Sequence, residues 1–157
     1  MIGETLFGAW GNAVLLAWAI LAASVALPPA SVWAKRLSTI GGFYAPAALS
    51  LCWVVLLIAA MLQPASGDLF SLQGVVQRFA NLDRLLLLYF ECLTLSLLAG
   101  GWIVADARRR NVSRAAMIIV LPLQFLFGPA GFATYVVFRS FGAKAVIRSS
   151  RQTAGEA

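Results

Sequence analysis

Residues 84–106, RLLLLYFECLTLSLLAGGWIVAD, form an apolar run of membrane length with one carboxylate inside it. An α-helix rises about 1.5 Å per residue, so about 20 such residues cross a hydrocarbon layer of about 30 Å. The carboxylate is Glu91, seven residues after Arg84, which places it about 10 Å inside that layer. Because an ionisable group in lipid is costly, Glu91 is a candidate functional residue.

The composition of the whole chain agrees with a membrane location. Of its 157 residues 61% are hydrophobic and 11% are charged, and the mean hydropathy is +0.86, whereas soluble domains carry about 25% charged residues. Glu91 is the only one of six acidic residues inside an apolar run. We therefore predict an integral membrane protein. The first apolar run is too long for a signal peptide and should remain in the mature chain.

Basic and sulfur-containing residues restrict the function further. The net charge of +6 comes from Lys and Arg beside the apolar runs, as expected for anchors that face anionic membrane lipid, so no nucleic-acid partner is predicted. The chain has no histidine, and its two cysteines, Cys52 and Cys92, lie in separate apolar runs. This excludes a catalytic histidine and a Cys/His metal site. No cofactor or metal is predicted, and the two thiols are interpreted as packing residues rather than as a disulfide.

The pattern of apolar runs predicts an all-α integral membrane protein with four transmembrane helices. The spans are expected at residues 6–27, 39–62, 85–105 and 115–138. Residues 30–37 between the first two spans are predicted as a short basic loop, and residues 63–68 as a turn-rich loop. Residues 1–141 would form the transmembrane domain, and residues 142–157 a polar basic tail.

A short amphipathic helix is predicted before the third span. Leu72, Val75, Val76 and Phe79 recur at helical spacing on one face of residues 71–82. The segment is too short and too polar to cross the membrane. It could lie along the membrane surface or pack on the bundle as a lid, and the pattern does not separate the two.

The last apolar run leaves the topology open. With four full spans, six basic residues fall on each side of the membrane, so the positive-inside rule does not decide the orientation. The loops after the first and third spans have the highest density of positive charge and are expected to be cytoplasmic. The alternative is a re-entrant segment hinged at Gly128 and Pro129, which would bring Arg110 and Arg139 to the same side.

Five short stretches carry a family resemblance by their order and spacing. Together they resemble the four-span membrane proteins related to the plant abscisic-acid-deficient, neoxanthin-synthesis protein, over residues 4–141. The stretches are Glu4-Thr-Leu-Phe with Asn12, Trp33-x-Lys-Arg-Leu37, Phe70-Ser-Leu-x-Gly-Val75, Trp102-x-x-x-Asp-Ala107 and Phe125-Leu-Phe-Gly-Pro-x-Gly131.

The resemblance implies a compact four-helix bundle, and this chain is expected to lie in the bacterial inner membrane. The plant namesake is needed to convert violaxanthin to neoxanthin, an isomerisation that opens an epoxide and leaves an allene. An apolar isoprenoid or carotenoid is thus the implied partner. Family members carry a histidine, and an aspartate five residues later, at positions that are Glu91 and Ser96 in this chain.

The first functional hypothesis is an isomerase acting on a carotenoid or other apolar isoprenoid. Its catalytic candidates are Glu91, as proton donor to an epoxide oxygen, and Ser96. Residues five apart on a helix point about 140° away from each other, so these two are not expected to form a tight pair. The substrate-binding candidates are Asn12, Tyr44, Tyr89, Trp102, Gly128 and Pro129.

The alternative hypothesis is a non-catalytic pigment-binding or lipid-binding accessory subunit of a membrane complex. Membrane lipid and other membrane protein subunits would then be its partners, and Glu91 would hydrogen-bond to a neighbouring helix. An ion or proton pathway through Glu91 is a weaker third hypothesis, because only Thr94 and Ser96 add polarity at that depth.

Overall fold

The computed structural model describes residues 2–28, 31–63, 67–68 and 70–154, with side chains described from residue 4 to residue 140. All regular elements in this part of the chain are helical, as predicted. They are α1 (Ile2–Ala26), α2 (Val32–Thr39), a π-helical turn (Ile40–Tyr44), α3 (Ala45–Met61), α4 (Leu72–Phe79), α5 (Leu82–Arg109) and α6 (Arg114–Ala154). Four helical stretches are long and apolar enough to cross a membrane: 4–26, 32–61, 82–109 and 114–140.

Helix α5 is the centre of the bundle and packs against α1, α3, the π-helical turn and α6. Its buried face includes Phe90, Leu97, Ile103 and Val104. The packing is close where glycines meet: a Cβ atom on Gly101 would overlap the backbone of Gly42 in the π-helical turn. Small residues allow such backbone contact between helices in a membrane, where packing drives association.

The prediction of a loop at residues 30–37 is wrong for the described residues 32–37, which are helical and continue through the π-helical turn into α3. Lys35 and Arg36 are exposed on one side of α2, whereas Ala34 is fully buried on the other. The basic residues therefore lie on the outer face of a helix that packs on α1. Residues 29–30 and 64–66 lie outside the described part of the chain.

The amphipathic helix predicted at residues 71–82 is confirmed as α4 (Leu72–Phe79). The Asp68 carboxylate accepts hydrogen bonds from the Ser71 hydroxyl and from the amides of Phe70 and Ser71, and the Ser71 hydroxyl accepts from the Gly74 amide. The hydrogen bond from the Ser71 side chain is the main cause that holds the pKa of Asp68 below its ordinary value. This N-terminal cap explains the Phe70–Val75 motif as a structural element. Helix α4 contacts α5, but Leu72 and Val76 of its apolar face stay 83% and 62% exposed, so the bundle does not cover that face.

Helix α6 folds back on itself near its middle. Phe127 (φ −135°, ψ 42°) and Gly128 (φ 0°, ψ −72°) depart from helical geometry and divide it into a first arm (114–126) and a second arm (129–154). A Cβ atom on Gly131 would overlap the backbone of Gln124, so the two arms touch just beyond the turn. The Phe125–Gly131 motif is therefore the turn of a helical hairpin.

Contacts with α5 show that both arms of α6 run between the turn and the same end of the bundle. Four residues connect the end of α5 to the start of the first arm, and Gln124 bonds to Ser96 in the middle of α5. In the second arm, Tyr135 and Arg139 return to Asp106 near the end of α5. The first arm has 13 residues, or about 20 Å, which is shorter than the hydrocarbon layer. The re-entrant alternative therefore describes the geometry of α6.

The hairpin places most of the basic residues at one end of the bundle. Seven basic residues lie at the end of the bundle where α5 ends, here named the basic end: Lys35, Arg36, Arg108, Arg109, Arg110, Arg114 and Arg139. Three more, Lys144, Arg148 and Arg151, follow without a further apolar stretch, which leaves Arg78 and Arg84 of the chain's twelve at the opposite end. The positive-inside rule then predicts that the basic end is cytoplasmic.

This topology predicts the accessibility of single cysteines in a chain without Cys52 and Cys92. Cysteines at Ser113 and Ser140 should react together with a membrane-impermeant maleimide, and only after the membrane is opened, because both lie at the basic end. A cysteine at Gln73, on α4, should react in intact cells. If α6 instead crosses the membrane, Ser140→Cys should react in intact cells, as Gln73→Cys does. Ser113→Cys would still react only after the membrane is opened.

Candidate functional site

Glu91 lies on α5 at the opposite end of the bundle, facing a cleft of about 240 Å³ between α3, α4 and α5. Trp53, Phe79, Arg78 and Arg84 line the same cleft. The Trp53 indole donates a 2.9 Å hydrogen bond to the Leu87 carbonyl, which fixes the ring in the wall. Glu91 is partly buried and makes no hydrogen bond or ion pair with any described residue. Its carboxyl group is thus available to a molecule in the cleft.

Ser96 faces α6 and is separated from Glu91, as the spacing of five residues predicts. Its hydroxyl donates a 2.8 Å hydrogen bond to the Gln124 carbonyl, and the Gln124 side-chain amide donates a 3.4 Å bond back to the Ser96 carbonyl. The turn at Phe127 and Gly128 lies three to four residues further along α6. Ser96 therefore holds the turn of the hairpin, and the structure does not bring the two catalytic candidates together.

A larger apolar cleft with an aromatic wall lies on another face of α5, and we name it the Trp102 groove. Its volume is about 710 Å³, within the range of small-molecule sites. Close contact of Gly42 with Gly101 brings its two sides together at the base, and Trp102 and Phe132 stand 5.7 Å apart in its wall. The remaining lining residues are Ser38, Thr39, Phe43, Leu95, Leu98, Ala99 and Ala105.

The other predicted substrate-binding residues are dispersed over the structure. Asn12 is exposed on α1, and Tyr89 stacks on Phe7 at 5.5 Å near the opposite end. Tyr44 is 61% exposed and packs edge-on against Phe43, next to the Trp102 groove but outside its lining. Gly128 and Pro129 belong to the hairpin turn. Of the six predicted residues, Trp102 alone lines the groove.

Asp106 is an organising residue that the sequence reasoning missed. Its carboxylate accepts a 2.6 Å hydrogen bond from the Tyr135 hydroxyl and forms ion pairs with Arg110 at 3.0 Å and Arg139 at 3.4 Å. The Tyr135 ring also packs edge-on against Trp102. This network joins the second arm of α6 to α5 and holds the wall of the groove. The four-residue spacing of Trp102 and Asp106 was a signal, because it places both on one helical face.

Arg108 is a second missed residue and holds the basic end together. Its guanidinium donates to the Ser24 carbonyl at 2.7 Å, to the Ala34 carbonyl at 2.8 Å and to the Ser38 hydroxyl at 2.6 Å. The Ser24 carbonyl is in the last turn of α1, where backbone acceptors lack helical partners. Arg108 thus joins α1, α2 and α5, and nothing in the pattern of a basic juxtamembrane cluster distinguishes it from Arg109.

The fold and the groove define a class: a small all-helical protein with four helices long and apolar enough to cross a membrane, the last of them folded into a hairpin, and an apolar groove beside α5. A comparison with protein families gives a match to the ABA DEFICIENT 4-like family over residues 5–135. This chain belongs to that family. Comparisons with curated proteins and with solved structures gave no match.

The Asp106 network predicts a specific loss of stability. Tyr135→Phe removes a hydrogen bond to a charged acceptor and should cost about 1.5–3 kcal/mol of unfolding free energy, measured by thermal or denaturant unfolding in detergent. Tyr89→Phe is the matched control, because the Tyr89 hydroxyl has no hydrogen-bond partner among the described residues. Equal stability of both variants would show that the Tyr135 bond does not hold the hairpin.

Proposed function

We propose that this chain binds an apolar isoprenoid of the carotenoid type in the Trp102 groove. The observation that carries the proposal is the groove itself, a cleft of about 710 Å³ walled by Trp102, Phe132 and Phe43. Membership of the ABA DEFICIENT 4-like family supports this ligand class, because the resemblance implies a role in carotenoid conversion. The proposal places the ligand where a molecule dissolved in the bilayer can enter directly.

The chemistry of the groove suits a long conjugated hydrocarbon. Trp102 is 45% exposed and Phe43 is 61% exposed, so both rings offer apolar area to a polyene chain. At the basic end of the groove the Thr39 hydroxyl donates to the Lys35 carbonyl at 3.0 Å and keeps its oxygen free to accept a hydrogen bond. A terminal hydroxyl on the ligand could be bound there.

Catalysis is a second candidate function, and the unpartnered carboxyl of Glu91 is the observation that favours it. The Glu91 carboxyl group could act as general acid toward an epoxide oxygen of an isoprenoid in its cleft, beside Trp53 and Phe79. Apart from Glu91, the described residues that line that cleft include no histidine, carboxylate or hydroxyl that would act as the base. The geometry thus favours binding over isomerisation as the function of this chain.

The binding proposal predicts that pigment copurifies with the protein from a carotenoid-producing host. Trp102→Ala should lower the ratio of bound carotenoid to protein by about tenfold, because loss of a stacked aromatic contact removes part of the binding energy. Trp33→Ala is the matched control: Trp33 is 64% exposed at the basic end and does not line the groove. Absorption spectroscopy and mass spectrometry provide the ratio, and colourless wild-type protein from such a host would contradict the proposal.

The catalytic candidate predicts a different result at Glu91. If the chain isomerises a carotenoid, Glu91→Gln should abolish the product in chromatographic profiles of membranes, with pigment still bound to the purified protein. Glu4→Gln changes an exposed acid near the N-terminus and serves as control. Identical profiles with wild-type protein, the Glu91→Gln variant and no protein would exclude isomerisation, and copurified pigment would then identify a non-catalytic binder.

A further inference from the structure

A second groove lies between α1 and the first arm of α6, on a different face from the Trp102 groove. Its apolar part has a volume of about 590 Å³ and reaches from the basic end toward the membrane centre. It is lined by Trp18, Ala22, Met117, Ile118, Leu121 and Phe125, among others. Ala22 and Ala26 leave room in its α1 wall, because their small side chains do not fill the space between the helices.

The same groove continues into a polar pocket at the basic end. A pocket of about 240 Å³ shares Val25, Arg114 and Met117 with the apolar part, and it adds the polar side chains of Arg108, Asn111 and Ser113. The two parts together form one amphipathic groove with polar groups at the membrane surface and apolar walls below. We name it the α1–α6 groove.

The positive charge of Arg114 at the polar end of the groove is not balanced by a carboxylate among the described residues. Asp106 is the only carboxylate at the basic end among the described side chains, and its ion pairs are with Arg110 and Arg139. Arg114 is exposed and forms no ion pair with any described residue. A cation held above an apolar groove is complementary to an amphiphile with an anionic head group.

We propose that the α1–α6 groove binds one anionic phospholipid of the surrounding bilayer. Its phosphate lies against Arg114 and the Asn111–Ser113 segment, and one acyl chain fills the space beside Ala22, Met117 and Leu121. Bound there, the lipid fills the gap between α1 and the hairpin. This site is independent of the isoprenoid proposed for the Trp102 groove, since the two grooves share no lining residue.

Native mass spectrometry of the purified full chain, titrated with phosphatidylglycerol or phosphatidylcholine, tests the site. The wild type should retain one phosphatidylglycerol in preference to phosphatidylcholine. Arg114→Gln should reduce that preference by about fivefold, the effect expected for one basic residue at an anionic lipid surface. Arg109→Gln removes the same charge at the same end from a residue that does not line the groove, and should leave the preference intact.

A second pair of variants tests the apolar part of the groove. Ala22→Leu should decrease retention of both lipids, because the larger side chain occupies the acyl-chain space. Ala23→Leu should not, since Ala23 is exposed on α1 outside the groove. Equal losses in Arg109→Gln and Arg114→Gln would overturn the proposal in favour of diffuse charge attraction. Retention of a polyprenyl phosphate in preference to phosphatidylglycerol would also overturn it, by assigning the groove to a phosphorylated isoprenoid.

Discussion

A backbone break inside the hydrocarbon layer must find hydrogen-bond partners from the protein, because no water is present to supply them. In this chain the break is the turn of α6 at Phe127 and Gly128. Ser96 donates to the Gln124 carbonyl just before the turn, and the Gln124 side chain bonds back to α5. These two bonds hold the turn against α5, and the described residues contain three other long apolar helices beside it.

The hairpin determines where the charges and the grooves lie. Because the second arm returns to the end of α5, Tyr135 and Arg139 reach Asp106, and Trp102 is held between that network and Phe132. The same return leaves the first arm beside α1, where the α1–α6 groove opens. One turn thus produces two apolar grooves on separate faces, and both extend to the basic end of the bundle.

The two catalytic candidates, Glu91 and Ser96, lie in different parts of the structure. Glu91 was selected because it is an acid at membrane depth, and the structure places it in a small cleft at the end of the bundle opposite to most of the basic residues. Ser96, at the other family position, is used to hold the hairpin turn. A binding role in the Trp102 groove needs neither residue, whereas a catalytic role depends on Glu91.

The sequence by itself determined the membrane class, the helical fold, the apolar stretches, the amphipathic α4 and the family. These follow from hydropathy and local periodicity, which depend on near neighbours along the chain. The sequence also indicated a break in the last helix at Gly128 and Pro129. The polar and basic residues 30–37 led to the prediction of a loop, which was wrong for the described residues 32–37. Only the tertiary structure decided that α6 folds back and that Asp106 and Arg108 join distant helices. These results depend on contacts between residues as much as 84 positions apart, and no local pattern specifies which carbonyl or carboxylate such a side chain will meet.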